Sequence, residues 1–299
     1  MNLLITGAWN HADRYMPDLE KQGHRIVFLQ HEKNMLPCSY EWPEGVICNG
    51  LFLSHPIEKF TNLKYIQLTS AGMDRIPLDY IKEKGIIVHN AKGVYSIPMA
   101  EFAVSGVLQI YKQAAYFHEN RKSHRWVKHR GLMEVYGKTV CVIGCGSVGT
   151  ECAKRFKAFG CNVVGIDLVP REDDNYSKIV SLGQMDAILP EADILVLTLP
   201  LTEETRHLMN EQRIALLKKG AVLVNIARGS IIDTEALTSA LYRLRGAVLD
   251  VFEEEPLDET SPLWEIENVL ITPHNSFVGD GNGERMSMLI FENLRNSFM

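Results

Sequence analysis

The sequence lacks three things whose absence narrows its role. No apolar run exceeds strand length, whereas a membrane-spanning helix needs about 20 consecutive apolar residues, so no membrane role is expected. There is no excess of positive charge: 31 Lys and Arg face 37 Asp and Glu, a net charge of −6, which gives no reason to expect nucleic acid or an anionic lipid surface as partner. Metal-type cysteine spacing is also missing. The six cysteines stand at 38, 48, 141, 145, 152 and 161, unlike a zinc ribbon or finger, and no metal site is expected. They read as free, mostly buried thiols in a reducing cytoplasm. The opening Met1-Asn2-Leu3-Leu4-Ile5-Thr6 reads as a strand, without the basic start and small-residue cleavage site of a secretory signal. No repeats or low-complexity tracts occur. With 299 residues, 46% hydrophobic and 23% charged, the composition is that of a soluble globular protein, and the length suggests two domains.

What is present is βα alternation. Strands are predicted at 3–6, 25–29, 45–48, 65–68 and 86–89, with helical stretches such as 11–22 and 79–84 between them. This pattern specifies a small parallel-sheet domain. Ser96 reads as the N-cap of a long helix with Pro98 in its first turn, and Ala100, Ala103, Val104, Val107, Leu108 and Tyr111 form its apolar face. The basic, aromatic-dotted segment from Tyr116 to Tyr136 is a poor core element and reads as a surface arm suited to a second subunit. Further strands are predicted at 140–143, 161–166, 194–198, 221–225, 246–251 and 269–272, with helices at 234–244 and 284–296. The expected fold class is α/β, two Rossmann/flavodoxin-like parallel-sheet domains with an interdomain cleft. The expected division is residues 1–97 plus 276–299 for substrate and 98–275 for a dinucleotide.

The most informative stretch is Lys138-Thr-Val-Cys-Val-Ile-Gly-Cys-Gly-Ser-Val-Gly149. A buried strand runs into Gly144-x-Gly146-x-x-Gly149, then into a helix carrying Ala153, Phe156 and Phe159. A second apolar run follows and ends in Asp167. This is the dinucleotide fingerprint. The glycines permit a sharp turn, close approach of a pyrophosphate and tight helix packing. The helix N-terminus, from Ser147 and Val148, offers free N–H groups to phosphate. Asp167 can accept both hydroxyls of the adenosine ribose and would repel a 2′-phosphate, so NAD is expected over NADP, with nearby Arg171 softening the preference. A bare glycine turn with no ligand is the bland alternative, and the flanking elements weigh against it. Cys145 lies in the turn itself, and its thiol is expected to be exposed until a cofactor covers it.

Three segments at predicted strand ends can supply chemistry. In Asn225-Ile226-Ala227-Arg228-Gly229, the planar fork of Arg228 matches a carboxylate or 2-oxo acid. The others are Asp250-Val251-Phe252-Glu253-Glu254-Glu255-Pro256 and Thr272-Pro273-His274. A histidine in such a place can serve as acid or base, and a carboxylate beside it fixes its tautomer. Taken singly, Arg228 could be a structural anchor, the three glutamates a solvated loop, and His274 a turn filler. Together they end strands of one sheet that already carries the fingerprint.

At this point nearly the whole chain resembles the D-isomer-specific 2-hydroxyacid dehydrogenases. The motifs that carry the resemblance are GCGSVG, the terminal ID, NIARG, LDVFEEEP, PLW and NVLITPH, with Ser70 to Asp74 and Ala100-Glu101 upstream. The resemblance implies that Arg228 binds and polarises a 2-oxo acid, that His274 is the general acid/base, and that Glu255, five residues after Asp250 and just before proline, is its partner. Glu253 and Glu254 are then solvated loop residues. It further implies that Asp250 lies near the nicotinamide, that the backbone of Ala71-Gly72 holds the substrate carboxylate, and that the protein is a homodimer formed through the cofactor domain. The expected cofactor-binding set is Gly144, Gly146, Ser147, Val148, Gly149, Asp167, Ile226 and Asp250. Asn275-Ser276-Phe277 departs from the family pattern, which has small apolar residues there.

The expected function is hydride transfer between NAD(H) and a small 2-oxo or 2-hydroxy acid in the cytoplasm. Two rivals are a non-catalytic NAD(H)-sensing regulator on the same fold and a dehydrogenase of another small oxyanion. For the substrate's R-group, Trp9, Leu51 and Phe52 suggest an apolar pocket, and Arg75 suggests a charged one.

Overall fold

The computed structural model describes residues 1–298. The chain divides into two units, Met1–Tyr95 with Gly279–Met299, and Ser96–Val278. The first unit contains β1 (Asn2–Thr6), α1 (Ala12–Lys21), β2 (Arg25–Leu29), β3 (Gly45–Cys48), β4 (Tyr65–Leu68), α2 (Leu78–Lys84) and β5 (Ile87–His89). Its five strands are all parallel, in the order β2-β1-β3-β4-β5. Both faces of the sheet are covered. Leu3 and Ile5 of β1 face one core and Leu4 faces another, which is why its three central positions are all apolar instead of alternating.

The second unit runs through α3 (Ser96–Tyr111), α4 (Ala114–Lys122), β6 (Thr139–Ile143), α5 (Ser147–Ala158), β7 (Asn162–Asp167), β8 (Lys178–Ser181), α6 (Met185–Ile188), β9 (Ile194–Leu197), α7 (Glu211–Leu216), β10 (Val222–Asn225), α8 (Thr234–Ala240), β11 (Gly246–Leu249) and β12 (Val269–Ile271). Seven strands form one sheet in the order β12-β11-β10-β9-β6-β7-β8, and every pairing is parallel. Val140 and Val142 of β6 pack with Ala153 and Phe156 of α5, while Cys141 and Ile143 face the opposite core. The strand order reverses between β6 and β9, and open sheets of this kind bind ligands at the carboxyl ends of strands flanking such a reversal.

The last helix, α9 (Asn282–Phe298), belongs to the first unit. Met286, Ile290 and Leu294 recur every fourth residue, so they share one helix face, and they are buried with Leu3, Ile5 and Trp9. Trp9 Nε1 donates to Ser287 Oγ at 3.1 Å, and Asn293 Nδ2 donates to Gln67 Oε1 at 2.9 Å. No helix among the described residues is long and apolar enough to cross a membrane.

Three local expectations change. β8 was not predicted; it is an edge strand of four residues, Lys-Ile-Val-Ser, with only two apolar side chains, too few for a periodic signal. Ser96 lies inside α3 and is buried, and so is not its cap. Phe159 falls just past the end of α5 and is exposed, whereas Ala153 and Phe156 are fully buried.

Candidate active site

The glycine turn joins β6 to α5. Gly149 is fixed by packing, because a Cβ there would stand 2.0 Å from the carbonyl oxygen of Gly144. Gly146 is different: it is exposed, and a Cβ added there would meet nothing within 4 Å. It is also the N-cap of α5, where no side chain bonds the first N–H groups. The turn therefore leaves an open concavity beside the donors of Ser147 and Val148, the geometry that accepts a pyrophosphate. At the end of β7, Asp167 Oδ2 accepts the Cys145 N–H at 2.9 Å and Oδ1 accepts the Leu168 N–H at 2.7 Å. Arg171 Nη1 donates to Asp167 Oδ2 at 3.2 Å, and its Nη2 reaches the Cys145 carbonyl oxygen. The bond to Asp167 pushes the Arg171 guanidinium pKa above its usual value. These residues fit a dinucleotide, with a carboxylate and a guanidinium at the end that would meet the adenosine ribose. Ile226 is 1% exposed and part of the core, so only its backbone can face a ligand.

The expectation for Cys145 is overturned. Its side chain is 1% exposed and turned into the core, and Gly165 makes room for the sulfur. Burial pushes the thiol pKa up to about 11. The backbone of the turn faces outward while this side chain faces inward, a distinction that residue position alone does not carry.

Arg228, Glu255 and His274 are brought to one edge of the seven-stranded sheet by its β10, β11 and β12 ends. Asn225, the buried last residue of β10, forms the first bend: its Oδ1 accepts the Ala227 N–H at 3.1 Å and its Nδ2 donates to the Arg228 carbonyl oxygen at 3.0 Å. The Arg228 side chain then extends into solvent, and among the described residues it bonds only the Ala227 carbonyl oxygen, at 2.7 Å, with no carboxylate paired to it. After β11, Glu255 Oε1 accepts the Phe252 N–H at 3.0 Å, and Oε2 lies 2.8 Å from His274 Nδ1. With Nδ1–H donated to Glu255, Nε2 points away from the carboxylate and is free to exchange a proton with a substrate. The Phe277 ring stands edge-on to the imidazole at 6.2 Å.

Asp250 organises this end of the sheet. It is fully buried, and its carboxylate accepts Thr272 Oγ1 at 2.6 Å, the Asn275 N–H at 2.7 Å and the Ser276 N–H at 2.9 Å. Its carbonyl oxygen accepts the His274 N–H at 2.7 Å. His274 adopts φ 49°, a left-handed conformation costly outside glycine, and these bonds hold it there. Of the departure at Asn275-Ser276-Phe277, Phe277 has a side-chain role, its ring on His274, whereas Asn275 and Ser276 bond Asp250 through backbone N–H groups that a small apolar residue would supply equally well. Sequence reasoning missed Asn225 and the Asp250 anchor; an amide or acid ending an apolar strand is the signal they carry.

In the first unit, Asn90 Nδ2 and Ser70 Oγ donate to the carbonyl oxygens of Ala71 and Gly72 at 2.7 and 2.9 Å. Among the described residues no acceptor takes up the N–H of either residue, so the turn has its donors available. Trp9 and Leu51 are core residues with 1% and 0% exposure and cannot line a substrate pocket. Phe52 packs edge-on against Phe60, and Arg75 is exposed. No group of three His, Cys, Asp or Glu side chains among the described residues could hold a metal ion.

A parallel sheet with an open glycine turn at its reversal point, and Arg, Glu and His side chains on neighbouring strand ends, are features that a nicotinamide-dependent oxidoreductase needs. Residues 104–276 match the family model described as D-isomer specific 2-hydroxyacid dehydrogenase, NAD binding domain. The chain belongs to the D-isomer specific 2-hydroxyacid dehydrogenase family. It is similar to a glyoxylate reductase of Korarchaeum cryptofilum, with 33% identity over 83% of this chain and 79% of the relative. It is 40% identical to a D-3-phosphoglycerate dehydrogenase of Methanocaldococcus jannaschii over 73% of this chain; the match spans less than half of that relative, 42%. Among solved structures it is similar to a D-lactate dehydrogenase from Aquifex aeolicus complexed with NAD and lactic acid, with 29% identity, a TM-score of 0.77, and coverage of 98% of this chain and 94% of the other. The protein is an NAD-dependent oxidoreductase of small 2-oxo and 2-hydroxy acids.

Two predictions follow from the cofactor turn. NAD(H) should be preferred over NADP(H), and Asp167→Ala should narrow the ratio of kcat/KM values about tenfold or more by freeing Arg171 to meet a 2′-phosphate, while Arg171→Ala should widen it. Comparable kcat/KM for both cofactors in the unaltered enzyme would contradict this. Cys145 should resist alkylation near neutral pH with or without NAD(H), because its thiol is buried and ionises only as pH rises toward about 11. Cys38, less buried than the other five cysteines, should label first, as read by mass spectrometry.

Proposed function

We propose that Arg228, Glu255 and His274 are the catalytic set, that Gly144, Gly146, Ser147, Val148, Gly149, Asp167, Ile226 and Asp250 serve the cofactor, and that Ala71, Gly72 and Arg228 bind the substrate. The single observation that carries the reading is the 2.8 Å contact between His274 Nδ1 and Glu255 Oε2, with Glu255 oriented by the Phe252 N–H. NAD(H) supplies the hydride for reduction of a 2-oxo acid at C2 and accepts it in the reverse direction. The guanidinium of Arg228 engages the carboxylate and the 2-oxygen together. Protonated His274 gives its Nε2 proton to the developing alkoxide, and Glu255 holds the ring and stabilises its charge. Arg228 and the imidazolium thus act on charge that grows in the transition state. Asp250 acts through the loop it holds.

A small 2-oxo acid such as glyoxylate is the proposed preferred substrate, since the relatives include a glyoxylate reductase and the apolar side chains Trp9 and Leu51 are sealed in the core. Five of the six free cysteines are buried, which suits a reducing cytoplasm. The proposed assembly is a homodimer through the second unit. Trp126 is 99% and Tyr136 76% exposed on the segment that follows α4, apolar area that a second copy would cover.

NADH oxidation with glyoxylate, hydroxypyruvate, pyruvate and branched 2-oxo acids tests the function. His274→Ala should lower kcat about a hundredfold or more. Glu255→Gln should lower it about tenfold or more by misdirecting the tautomer. Arg228→Lys should cut kcat/KM for the acid at least about tenfold, because an ammonium cannot make the two-pronged contact, while the KM for NADH holds. Absence of turnover with every acid would favour an NAD(H)-sensing role or another oxyanion as substrate. Light scattering at micromolar concentration should give the mass of two chains; a monomer mass would rule out the dimer.

A further inference from the structure

The same edge of the second unit's sheet carries another histidine–glutamate contact. His207 Nε2 lies 2.8 Å from Glu253 Oε2, and the side chains are 42% and 31% exposed. Glu253 is therefore not the solvated loop residue that the sequence suggested. Its other oxygen accepts the N–H of Thr234, the first residue of α8, at 2.9 Å. Burial pushes the Glu253 carboxyl pKa up, but the bonds from His207 and Thr234 outweigh this and hold it below the usual range.

The connections of this pair converge on the catalytic segments. The His207 N–H donates to the Ser230 carbonyl oxygen at 2.8 Å, and the Met209 N–H to that of Ile231 at 3.0 Å. The segment after β9 is thereby seated along the turn that follows Arg228. Gly229 presses that turn against the next loop, since a Cβ there would stand 1.8 Å from the carbonyl carbon of Phe252. Phe252 in turn donates its N–H to Glu255. His207 is held at φ 47°, a conformation that other residues seldom adopt, and this aims its ring at the loop. One side-chain pair thus joins the segments that end β9, β10 and β11, and two of these carry Arg228 and Glu255.

We propose that His207 and Glu253 are positioning residues, a latch that fixes the Glu255 loop against the Arg228 turn. The proposal rests on the catalytic reading of Arg228, Glu255 and His274. A partly exposed side-chain contact of this kind contributes little to stability, so the effect of the latch should appear in kinetics more than in unfolding.

The test compares steady-state kinetics with NADH and glyoxylate, and thermal unfolding, for His207→Leu, His207→Gln, Glu253→Gln and the His207→Leu/Glu253→Gln double variant. His207→Leu should lower kcat/KM for the acid about tenfold, with the KM for NADH within about twofold of the parent enzyme. His207→Gln, whose amide nitrogen can stand where Nε2 stands, should recover most of the loss. The double variant should lose less than the product of the single losses, because both changes break one contact. Glu253→Gln, which keeps an acceptor for Thr234, should lose kcat/KM severalfold and supplies the test should His207→Leu not fold. Kinetics like the parent in His207→Leu or Glu253→Gln, an equal loss in His207→Gln, or multiplying losses in the double variant would overturn the latch. Glu255→Gln and Arg228→Lys are run alongside: if these keep parent kinetics, the catalytic reading has failed instead.

Discussion

A buried carboxylate organises the end of the sheet where the chemistry is placed. Asp250 is sealed from solvent, and among the described residues no cation pairs with it. Burying such a group costs several kcal/mol unless hydrogen bonds replace its water. The replacements come from Thr272, Asn275 and Ser276, which bracket His274. The loop can satisfy Asp250 only by folding around it, and folding around it turns His274 outward toward Glu255. The placement of the imidazole is thus a consequence of solvating an anion with backbone.

A second carboxylate plays a comparable part at the cofactor end. Asp167 is the residue expected to face the adenosine ribose, yet it also accepts the Cys145 N–H and so holds the glycine turn in shape. Arg171 spans the same two groups. Substitutions at Asp167 or Arg171 will therefore mix a change in cofactor charge preference with a change in the turn, and the opposite directions expected for the two variants separate the charge effect from the turn effect.

The parallel sheets were legible in the sequence because strands buried on both faces must be apolar throughout, as at Leu3 to Ile5 and Val140 to Ile143. The glycine turn was legible because close packing admits no Cβ at Gly149. The Glu255–His274 contact was implied by the resemblance of LDVFEEEP and NVLITPH to the family's motifs, since the residues alone left the three glutamates equivalent. Other features depend on side-chain direction or on distant partners. Cys145 sits in a ligand-facing turn but points into the core. Trp9 and Leu51 follow strand ends as a pocket residue would, yet Trp9 packs beneath α9 and Leu51 into the core on the other face of the sheet. Glu253 looks like one more acid in a solvated run until the loop after β9 brings His207 to it. β8 has too few apolar residues to announce itself.

The burial of β1 beneath α9 bears on how the protein is made. The strand leaves the ribosome long before Met286, Ile290 and Leu294, which cover Leu3 and Ile5. The second unit is continuous in sequence, so it can complete its core during synthesis, as domains tend to fold as units. The first unit must wait for α9 with one face of its sheet only partly covered, by α1 and by Ala91 and Val94. For that interval the nascent chain presents an apolar strand, and its dependence on chaperones should be concentrated there.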